Sequence, residues 1–309
     1  MADMPKHSIL VVGSLNADLV VRAPRFPQPG ETISGEDLQV IPGGKGANQA
    51  VAAARLGAKV SMLGRVGKDN FGDFLLDNLK SNNVDSQLVL RDDASTGTAI
   101  IVVDANGQNS IVLSAGANSK VAASDVENAS FSTFDLLLLQ LEIPTPTVLS
   151  AAKRARDNGV RVILNPAPAK ELPAELIALA DFIIPNETEL SLLTGMEVKD
   201  VPSAEKAART LLERGAQNVI VTLGSKGALI VNKDTSTHVD TFKVDVVDTT
   251  AAGDAFIGGF AVSLDSSSLL NAVRYACACG ALATTRFGAQ PSLPTKEEVE
   301  RFMSLRGGV

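Results

Sequence analysis

The segment of this chain best suited to chemistry is residues 247–254, with the sequence VDTTAAGD. The small residues Ala251, Ala252 and Gly253 stand where an extended segment is predicted to turn into a helix. Several backbone N–H groups would be free there, and the helix dipole would favour an anion such as phosphate. Asp254 would lie in the first helical turn, close to an anion bound at those amides. A carboxylate at that position would be explained if it accepts a hydroxyl proton beside a transferring phosphoryl group. The alternative is an acid that only complements the helix dipole.

A glycine pair inside the same predicted helix, Gly258 and Gly259, favours the functional interpretation. Each glycine within a helix costs about 1 kcal/mol. The pair therefore indicates close packing or the close approach of a ligand.

Three polar side chains could bind the hydroxyl groups of a sugar. Asn16 and Asp18 are two apart just beyond the first predicted strand, so in an extended chain they share a face. Glu142 follows an apolar run, at the carboxyl edge where open α/β sheets bind ligands. The alternative for Asn16 and Asp18 is a pair of turn-forming residues.

A glycine-rich stretch precedes the next predicted helix. Its glycines Gly43, Gly44 and Gly46 would let the backbone approach a ligand closely. Asn48, at the start of that helix, can both donate and accept a hydrogen bond. For Lys45 we expect a solvated or hydrogen-bonded ammonium at the rim of the site, with the neighbouring glycines more important than the charge.

Two further segments could hold a nucleotide and its metal ion. Asn186 and Glu189 lie one helical turn apart after a strand, which suits hydrated Mg2+ held by few protein ligands; a plain helix N-cap is the alternative. Residues 222–227 offer glycine amides and hydroxyl groups to phosphate, or else form a hairpin turn. The residues of this turn that could contact nucleotide are Thr222, Gly224, Ser225 and Gly227.

Several familiar signatures are missing from the sequence. Neither Gly-Lys pair is followed by Ser or Thr, so a P-loop is not supported, and no Gly-x-Gly-x-x-Gly follows the first predicted strand. The two histidines are His7, at what we expect to be a frayed start, and His238, in a Thr/Asp-rich hairpin region. Neither has a partner nearby, which argues against a Ser-His-Asp hydrolase or a His-ligated zinc enzyme.

The amino-acid composition argues against some classes of binding partner. The chain has 309 residues, with 28 Lys and Arg against 35 Asp and Glu, one Tyr and no Trp, so it lacks the basic, aromatic surface that binds nucleic acid. Cys277 and Cys279 would diverge on a predicted helix and could not easily form a disulfide. The start of the chain lacks a secretory pattern, and the apolar windows are shorter than the ~20 residues of a membrane span. We expect a cytoplasmic protein that binds neither membrane nor nucleic acid.

Short β-rich runs alternate with helical segments through most of the chain, which is typical of βαβ units. The sequence predicts strands at 8–13, 59–65, 135–141, 160–164, 181–184 and 218–223. It predicts helices at 47–56, 71–82, 147–158, 187–193 and 203–215. We therefore expect one α/β domain, a doubly wound and mostly parallel sheet flanked by helices.

Residues 15–41 and 97–113 break this alternation. The first is extended and punctuated by proline, and the second is predicted to be a hairpin turning at Asp104 to Gly107. We expect the two to form a small separate sheet that serves as a lid over a pocket; an edge extension of the main sheet is the alternative. The open edges of such a sheet could pair with a second copy, so we expect a homodimer.

The sequence resembles the ribokinase family of carbohydrate kinases over nearly its whole length. The stretch 42–48, continuing into Gln49, is similar to the family's first signature, and 248–254 is similar to the second. Finer similarity lies at 13–18, 165–169 and 288–292. The resemblance implies ATP-dependent phosphorylation of the primary hydroxyl of D-ribose, with ATP, Mg2+ and K+ as cofactors.

The resemblance also implies a role for each matching residue. The catalytic group would be Asp254 as general base with the amides of Ala251, Ala252, Gly253 and Asp254 as anion hole. The sugar would contact Asn16, Asp18, Gly44, Lys45, Gly46, Asn48, Glu142 and Asp254. The nucleotide would contact Asn186, Thr222, Gly224, Ser225, Gly227, Gly253 and, at the adenine, Cys277. A monovalent cation would be held largely by backbone carbonyls of Asp248, Thr250, Ala283, Arg286, Gly288 and Ser292, and Mg2+ indirectly by Glu189.

Three alternatives stay open. A related kinase could act on deoxyribose, fructose or a nucleoside such as adenosine, because specificity depends on a few hydroxyl contacts. A sugar- or nucleotide-binding regulator could keep the fold without turnover. An NAD-dependent dehydrogenase would fit the alternation of strands and helices but lacks the glycine fingerprint.

Overall fold

The computed structural model describes residues 7–265 and 268–306. Within these ranges the strands are β1 Ser8–Val12, β2 Asn16–Arg22, β3 Gln39–Gly43, β4 Lys59–Gly67, β5 Val84–Asp92, β6 Gly97–Val103, β7 Asn109–Ser114, β8 Leu136–Leu139, β9 Arg161–Leu164, β10 Phe182–Ile183, β11 Asn218–Thr222, β12 Ala228–Asn232 and β13 Ser236–Val239. The helices are α1 Lys45–Arg55, α2 Asn70–Ser81, α3 Ala123–Glu127, α4 Thr145–Asp157, α5 Ala174–Leu179, α6 Glu187–Thr194, α7 Val201–Glu213, α8 Ala252–Ser263, α9 Leu269–Ala283, α10 Ala289–Ser292 and α11 Lys296–Ser304.

The main sheet has nine strands in the order β13-β12-β11-β10-β9-β8-β1-β4-β5. All strands from β11 to β5 run parallel, and β12 and β13 add an antiparallel edge. The central strand β8 consists of four leucines that are fully buried, as expected for a strand covered on both faces. The predicted doubly wound α/β fold is confirmed.

Several predicted strands are longer than the observed ones. Residues 135–141 contain only Leu136–Leu139 as strand, because the chain leaves the sheet at Gln140, and the Leu141 amide donates to the Ala167 carbonyl. Residues 181–184 shorten in the same way to Phe182–Ile183. The polar residues that follow these strands therefore belong to the rim of the sheet.

The segments that break the alternation form a second sheet of four strands, in the order β3-β2-β6-β7. Its hairpin β6–β7 turns where predicted: the Gly107 amide donates to the Asp104 carbonyl, and the Gln108 amide donates to the Asp104 carboxylate. None of these strands joins the main sheet in the described residues, so the alternative of an edge extension is wrong. We call this four-stranded unit the small sheet.

Helices α1, α8 and α9 pack through residues without bulky side chains. A Cβ added to Gly258 would lie 2.6 Å from the Ala52 Cβ and 2.9 Å from the Ala53 backbone nitrogen. A Cβ added to Gly259 would lie 2.6 Å from the Cys279 Sγ. The glycine pair of α8 therefore serves close helix packing and not the approach of a ligand.

Some expectations about single residues need correction. His7 is not frayed: it is buried, and its Nε2 lies 2.6 Å from the Leu264 carbonyl oxygen. Cys277 and Cys279 are both buried and unpaired, as expected. Among the described helices, none has both the length and the apolar character to cross a membrane.

Candidate active site

The site begins where the order of the main sheet reverses. From β1 the chain adds β4 and β5 on one side and later β8, β9 and β10 on the other, and ligands bind in open α/β folds at the carboxyl ends of the strands beside such a point. The loops after β1 and β8 meet here. Glu142 accepts hydrogen bonds from the Ser14 hydroxyl at 2.5 Å and the Lys45 amide at 3.0 Å, so its carboxylate lies at the N-terminus of α1.

Two glycines at the start of α1 are required by close backbone packing. Gly44 has a φ of 87°, and a Cβ there would lie 2.7 Å from the Asn16 backbone nitrogen. A Cβ on Gly46 would lie 2.6 Å from the Ser14 nitrogen. These glycines let α1 begin against the chain that leads into β2. They bring Asn16 and the start of α1 together. The contact of Gly44 and Gly46 with a ligand stays a prediction.

Asp254 is the buried acid at the centre of the site. It lies in the first turn of α8 and is 6% exposed. Its Oδ2 accepts from the Asn48 Nδ2 at 2.9 Å, and its Oδ1 accepts from the Gln49 Nε2 at 3.0 Å. Burial raises its pKa above the ordinary value, although Lys45, Asn48 and Gln49 oppose that shift.

The helix start before Asp254 provides amides that could bind an anion. Ala251 has a left-handed backbone with a φ of 60°, and the Ala252 amide donates to the Thr249 carbonyl at 3.2 Å. The amide of Ala252 is therefore already used, contrary to the prediction. For Ala251, Gly253 and Asp254, no protein acceptor of the backbone N–H is found among the described residues. The expected anion hole is reduced from four amides to three.

The predicted sugar-binding pair lies on β2 as expected. Asn16 is buried, and its Oδ1 accepts from the Asn118 Nδ2 at 2.7 Å. Asn118 also bonds to both the amide and the carbonyl of Leu15. Burial raises the pKa of Asp18 to about 7, and the nearby carboxylates of Glu142 and Asp254 add to the shift.

A cavity of about 180 Å3 extends from Asp254 toward β10 and β11. Its lining includes Lys45, Asn165, Asn186, Glu189, Thr222 and Gly253. Burial alone would lower the pKa of Lys45, but the carboxylates of Asp254, Glu142 and Glu189 outweigh it and raise that pKa. Lys45 is a partly buried cation that lines the cavity and faces three acids. The expectation of a solvated or hydrogen-bonded ammonium at the rim of the site stays a prediction.

Asn186 and Glu189 form a reciprocal helix cap. The Asn186 amide donates to the Glu189 carboxylate at 2.8 Å, and the Glu189 amide donates to the Asn186 Oδ1 at 2.8 Å. Both residues also line the cavity, so the cap and a role toward a ligand are compatible. Burial raises the pKa of Glu189.

Within the turn at 222–227, one residue lines the cavity and another belongs to the β12 hairpin. Thr222 lines the cavity and bridges to Asn186, whereas Gly224 and Ser225 are exposed beyond it. A Cβ on Gly227 would lie 2.0 Å from the Val239 carbonyl oxygen, because β12 turns back here to pair with β11 and β13. Gly227 thus serves the hairpin, which was the alternative interpretation.

Cys277 is not brought to this cavity. It is 4% exposed within the core around α9, and burial raises its pKa to about 12. The side chain therefore sits as a small apolar residue in the core.

Among the residues expected to hold a monovalent cation, Asp248 makes contacts with several of the others. The Asp248 carboxylate accepts from the Thr250 amide and hydroxyl and from the Gly288 amide at 2.9 Å. Arg286 instead pairs with Glu298 and its amide donates to the Ala283 carbonyl. The Ser292 hydroxyl is bonded to the Ala289 carbonyl. Asp248, Thr250 and Gly288 form one cluster, and the Asp248 amide donates to the carbonyl of Thr284, which lies between Ala283 and Arg286 in the chain. The binding of a cation by the six backbone carbonyls stays a prediction.

Sequence reasoning missed five polar residues of the site: Ser14, Gln49, Asn118, Gln140 and Asn165. Ser14, Gln49 and Asn165 stand inside the family-like motifs, so their positions carried a signal. Gln140 was visible only as the first polar residue after four leucines. Asn118 carried no signal at all.

The sequence is similar to known proteins over nearly its whole length. Residues 6–296 match the model of the pfkB family carbohydrate kinases. The chain belongs to the pfkB family of carbohydrate kinases. A ribokinase of Haemophilus influenzae is 44% identical, covering 96% of this chain and 99% of the relative. A deoxyribokinase of Salmonella typhi is 41% identical with the same coverage.

The pfkB fold is also evident among solved structures. Arabidopsis thaliana ribokinase, solved in complex with ribose and ATP, is similar with a TM-score of 0.90 and 35% sequence identity. The match covers 96% of this chain and 98% of that one.

Proposed function

We propose that this pfkB family member is an ATP-dependent kinase that converts D-ribose to D-ribose 5-phosphate. The observation that carries the proposal is the position of Asp254. It is bonded to the helix that starts beside the hydroxyl-binding residues, and it lines a cavity with free backbone amides and a lysine. The whole-length similarity to ribokinases, including one solved with ribose and ATP, supports the same substrates.

Asp254 acts as the general base toward the primary hydroxyl of the sugar. In a loose phosphoryl-transfer transition state the hydroxyl proton becomes acidic late, so a carboxylate suffices and no histidine is needed. Burial strengthens Asp254 as a base by raising its pKa. The free amides of Ala251, Gly253 and Asp254, with the Lys45 ammonium, stabilise the charge on the transferring phosphoryl group.

The sugar lies between the small sheet and the start of α1. Asn16 has its oxygen occupied by Asn118, so its Nδ2 is the group left to donate to a hydroxyl. Asn48 has its Nδ2 occupied by Asp254, and its buried Oδ1 has no protein partner in the described residues. Asn48 therefore offers an acceptor where Asn16 offers a donor, and Asp18 and Glu142 add acceptors.

The residues present fit a magnesium ion held mainly by nucleotide phosphates and water. No group of three acidic, histidine or cysteine side chains that could enclose a metal occurs within the described residues. Glu189 lines the cavity with a carboxylate whose one oxygen is used by the cap, so it would hold the ion through water. When bound, Mg2+ would neutralise phosphate charge.

The nucleotide follows the cavity outward from Asp254. Its phosphates pass Asn186, Thr222 and Gly253, and its distal part reaches the exposed turn at Gly224 and Ser225. Gly227 and Cys277 support this region from within the fold and do not contact the base.

A monovalent cation such as K+ would bind beside Asp248. The carboxylate is fixed by Thr250 and Gly288, and these bonds outweigh burial and lower its pKa, so it stays charged. A cation there would hold the loop before Asp254 in place and strengthen the field at the free amides.

The small sheet serves as the lid, and the protein forms a cytoplasmic homodimer through it. The lid would exclude water from the phosphoryl group and suppress idle ATP hydrolysis. Exposed apolar side chains on the small sheet, including Ile100 and Val112, support burial against a second copy. Two unpaired buried cysteines fit a reducing compartment.

The test is ADP formation by the purified protein with ATP and Mg2+, with ribose, deoxyribose, fructose or adenosine, each with and without K+. We expect the highest kcat/KM with ribose and a rise with K+. Asp254→Asn should lower kcat by about 10²- to 10⁴-fold, the contribution of a general base, while Asp77→Asn, exposed on α2, should leave it unchanged. Full activity of Asp254→Asn would remove Asp254 as the base.

Deoxyribose is the second candidate acceptor, because a deoxyribokinase matches this chain nearly as well as the ribokinases do. A higher kcat/KM with deoxyribose would keep the mechanism and change the substrate. Binding of ribose and ATP with no turnover on any acceptor would instead make the protein a sugar-binding regulator.

A further inference from the structure

We propose that Gln49 is a positioning residue for Asp254, held in one orientation by Gln140 and Asn165. The inference rests on the proposed function in one respect, the role of Asp254 as proton acceptor. Gln49 is fully buried, and so is Gln140. Gln49 is not among the residues that line the cavity, so it acts through Asp254 and not by touching a substrate.

Every polar group of the Gln49 side chain is used. Its Nε2 donates to the Asp254 Oδ1 at 3.0 Å and to the Asn165 Oδ1 at 3.1 Å, which accounts for both of its hydrogens. Its Oε1 accepts from the Gln140 Nε2 at 2.5 Å. A buried amide this fully bonded is expected to be rigid.

The orientation of Gln49 follows from a backbone carbonyl. Asn165 donates its Nδ2 to the Ile184 carbonyl at 2.9 Å, so its Oδ1 must point to Gln49. A flipped Gln49 would place its oxygen against the oxygens of Asn165 and Asp254. It would also place its amide hydrogens against those of the Gln140 Nε2. Asn165 therefore works against the flipped state, and Gln140 adds a third bond that favours the same orientation of Gln49. The series of hydrogen bonds that ends at Ile184 ties Asp254 to the rim of the main sheet.

The charges around Asp254 give this contact a measurable consequence. Lys45 faces it from α1, Glu142 from the loop after β8, Asp18 from β2 and Glu189 from α6. Asn48 and Gln49 each donate to one of its oxygens and so favour its ionised form. Loss of the Gln49 donor should raise the pKa of Asp254 and free one of its oxygens to move.

The test compares Gln49→Leu and Gln140→Leu with Gln290→Leu in the full-length enzyme. Gln49→Leu should lower kcat for ribose by about 10- to 100-fold, the scale of a misplaced catalytic group, with KM for ribose within about 3-fold of wild type. The acidic limb of its kcat–pH profile should move to higher pH. Gln140→Leu, which removes only one of the bonds that orient Gln49, should change kcat and the profile in the same direction by less. Gln290→Leu removes a buried glutamine bonded to Asn78 and should change neither.

Thermal unfolding and ribose binding of each variant show whether it is folded. If Gln49→Leu does not fold, Gln140→Leu decides the inference. A folded Gln49→Leu, or in its absence Gln140→Leu, with the wild-type kcat and pH profile would overturn it. Equal losses in Gln290→Leu would also overturn it, since any buried amide would then matter as much. If the wild type phosphorylates no sugar, or Asp254→Asn stays active, the proposed function fails instead, and that result is separate.

Discussion

At the scale of single residues, the site concentrates negative charge before any ligand arrives. Asp18, Glu142 and Asp254 are close enough for the carboxylates of Glu142 and Asp254 to raise the pKa of Asp18, and burial raises it most. Lys45 is the cation that faces Asp254, Glu142 and Glu189. Such a cluster costs stability and supplies hydrogen-bond acceptors for hydroxyl groups, and a substrate donates to these acceptors when it binds.

Asp18 should make the stability of the ligand-free enzyme depend on pH. Its pKa is raised from 3.8 to about 7, so between these values the folded protein holds more protons than the unfolded chain, and the free energy of unfolding falls as pH rises. In Asp18→Asn the free energy of unfolding should not fall in this way, because the asparagine side chain does not titrate. Relative to wild type this variant should gain roughly 1 kcal/mol for each pH unit across that window.

Denaturant unfolding of wild type and Asp18→Asn at several pH values from acid to neutral measures this gain. The exposed Asp77→Asn is the control and should follow the wild type. A stability difference between Asp18→Asn and wild type that stays constant with pH would show that Asp18 titrates normally in the folded state.

At the scale of elements, the distance between α1 and α8 sets the geometry of the base. Asn48 and Gln49 lie on α1 and Asp254 lies on α8, and both hydrogen bonds depend on the close contact of Gly258 with Ala52 and Ala53. On its other side α8 packs against α9 through Gly259 and Cys279. Gly258 therefore belongs to the packing that positions the base, whereas Gly259 belongs to packing that only supports α8.

Gly258→Ala and Gly259→Ala should separate these two effects. The Cβ of Gly258→Ala would contact the backbone of α1, which can move only if the whole helix shifts. The Cβ of Gly259→Ala would contact the side chain of Cys279. Both should lose about 1–3 kcal/mol of stability through overpacking. Gly258→Ala should in addition lower kcat by about 10-fold or more, because it moves Asn48 and Gln49 relative to Asp254.

Unfolding curves and kcat for ribose, measured on both variants, decide the point. Activity that falls equally in the two variants would mean that stability alone controls the rate.

At the scale of the whole molecule, the two faces of the small sheet have different surroundings. Its inner face carries Asp18, Val20 and Arg22 over a second cavity. Its outer face carries a row of cross-strand neighbours, Val40, Leu19, Ile100 and Val112. Ile100 is 51% exposed and Val112 is 65% exposed. Within one described chain nothing covers this row, which is what the proposed dimer would do.

Val112→Glu should therefore weaken the dimer, because it places a charge on the face that the dimer would bury. Sedimentation velocity over a range of concentrations should show a dimer for wild type and a shift toward monomer for the variant. Ser81→Glu, at the end of α2, is the control and should sediment as wild type. A wild type that is monomeric at all concentrations, or a Val112→Glu that dimerises unchanged, would rule out this surface.

The fold class, the position of the small sheet and the segment that contains the acid at the N-terminus of α8 could all be predicted from the sequence. These features depend on periodicity and on turn chemistry within about 20 residues, which are local properties of a chain. The scarcity of histidine and the missing P-loop likewise limit the chemistry through residue types alone. Gly44 and Asn186 also stand in motifs that are visible in the sequence, although the sequence could not separate the N-cap and ligand-binding interpretations of Asn186.

Which of these residues act together depends on contacts between distant parts of the chain. Asn48 meets Asp254 across 206 positions, and Gln140 meets Gln49 across 91. Such contacts depend on the order of the strands and on which helices pack together. The glycine pair of α8 indicated close packing but could not show that α1 is the neighbour of Gly258. For the same reason the sequence could not show that Gly46 packs against Ser14, that Cys277 is buried in the core, or that Asn118 holds Asn16.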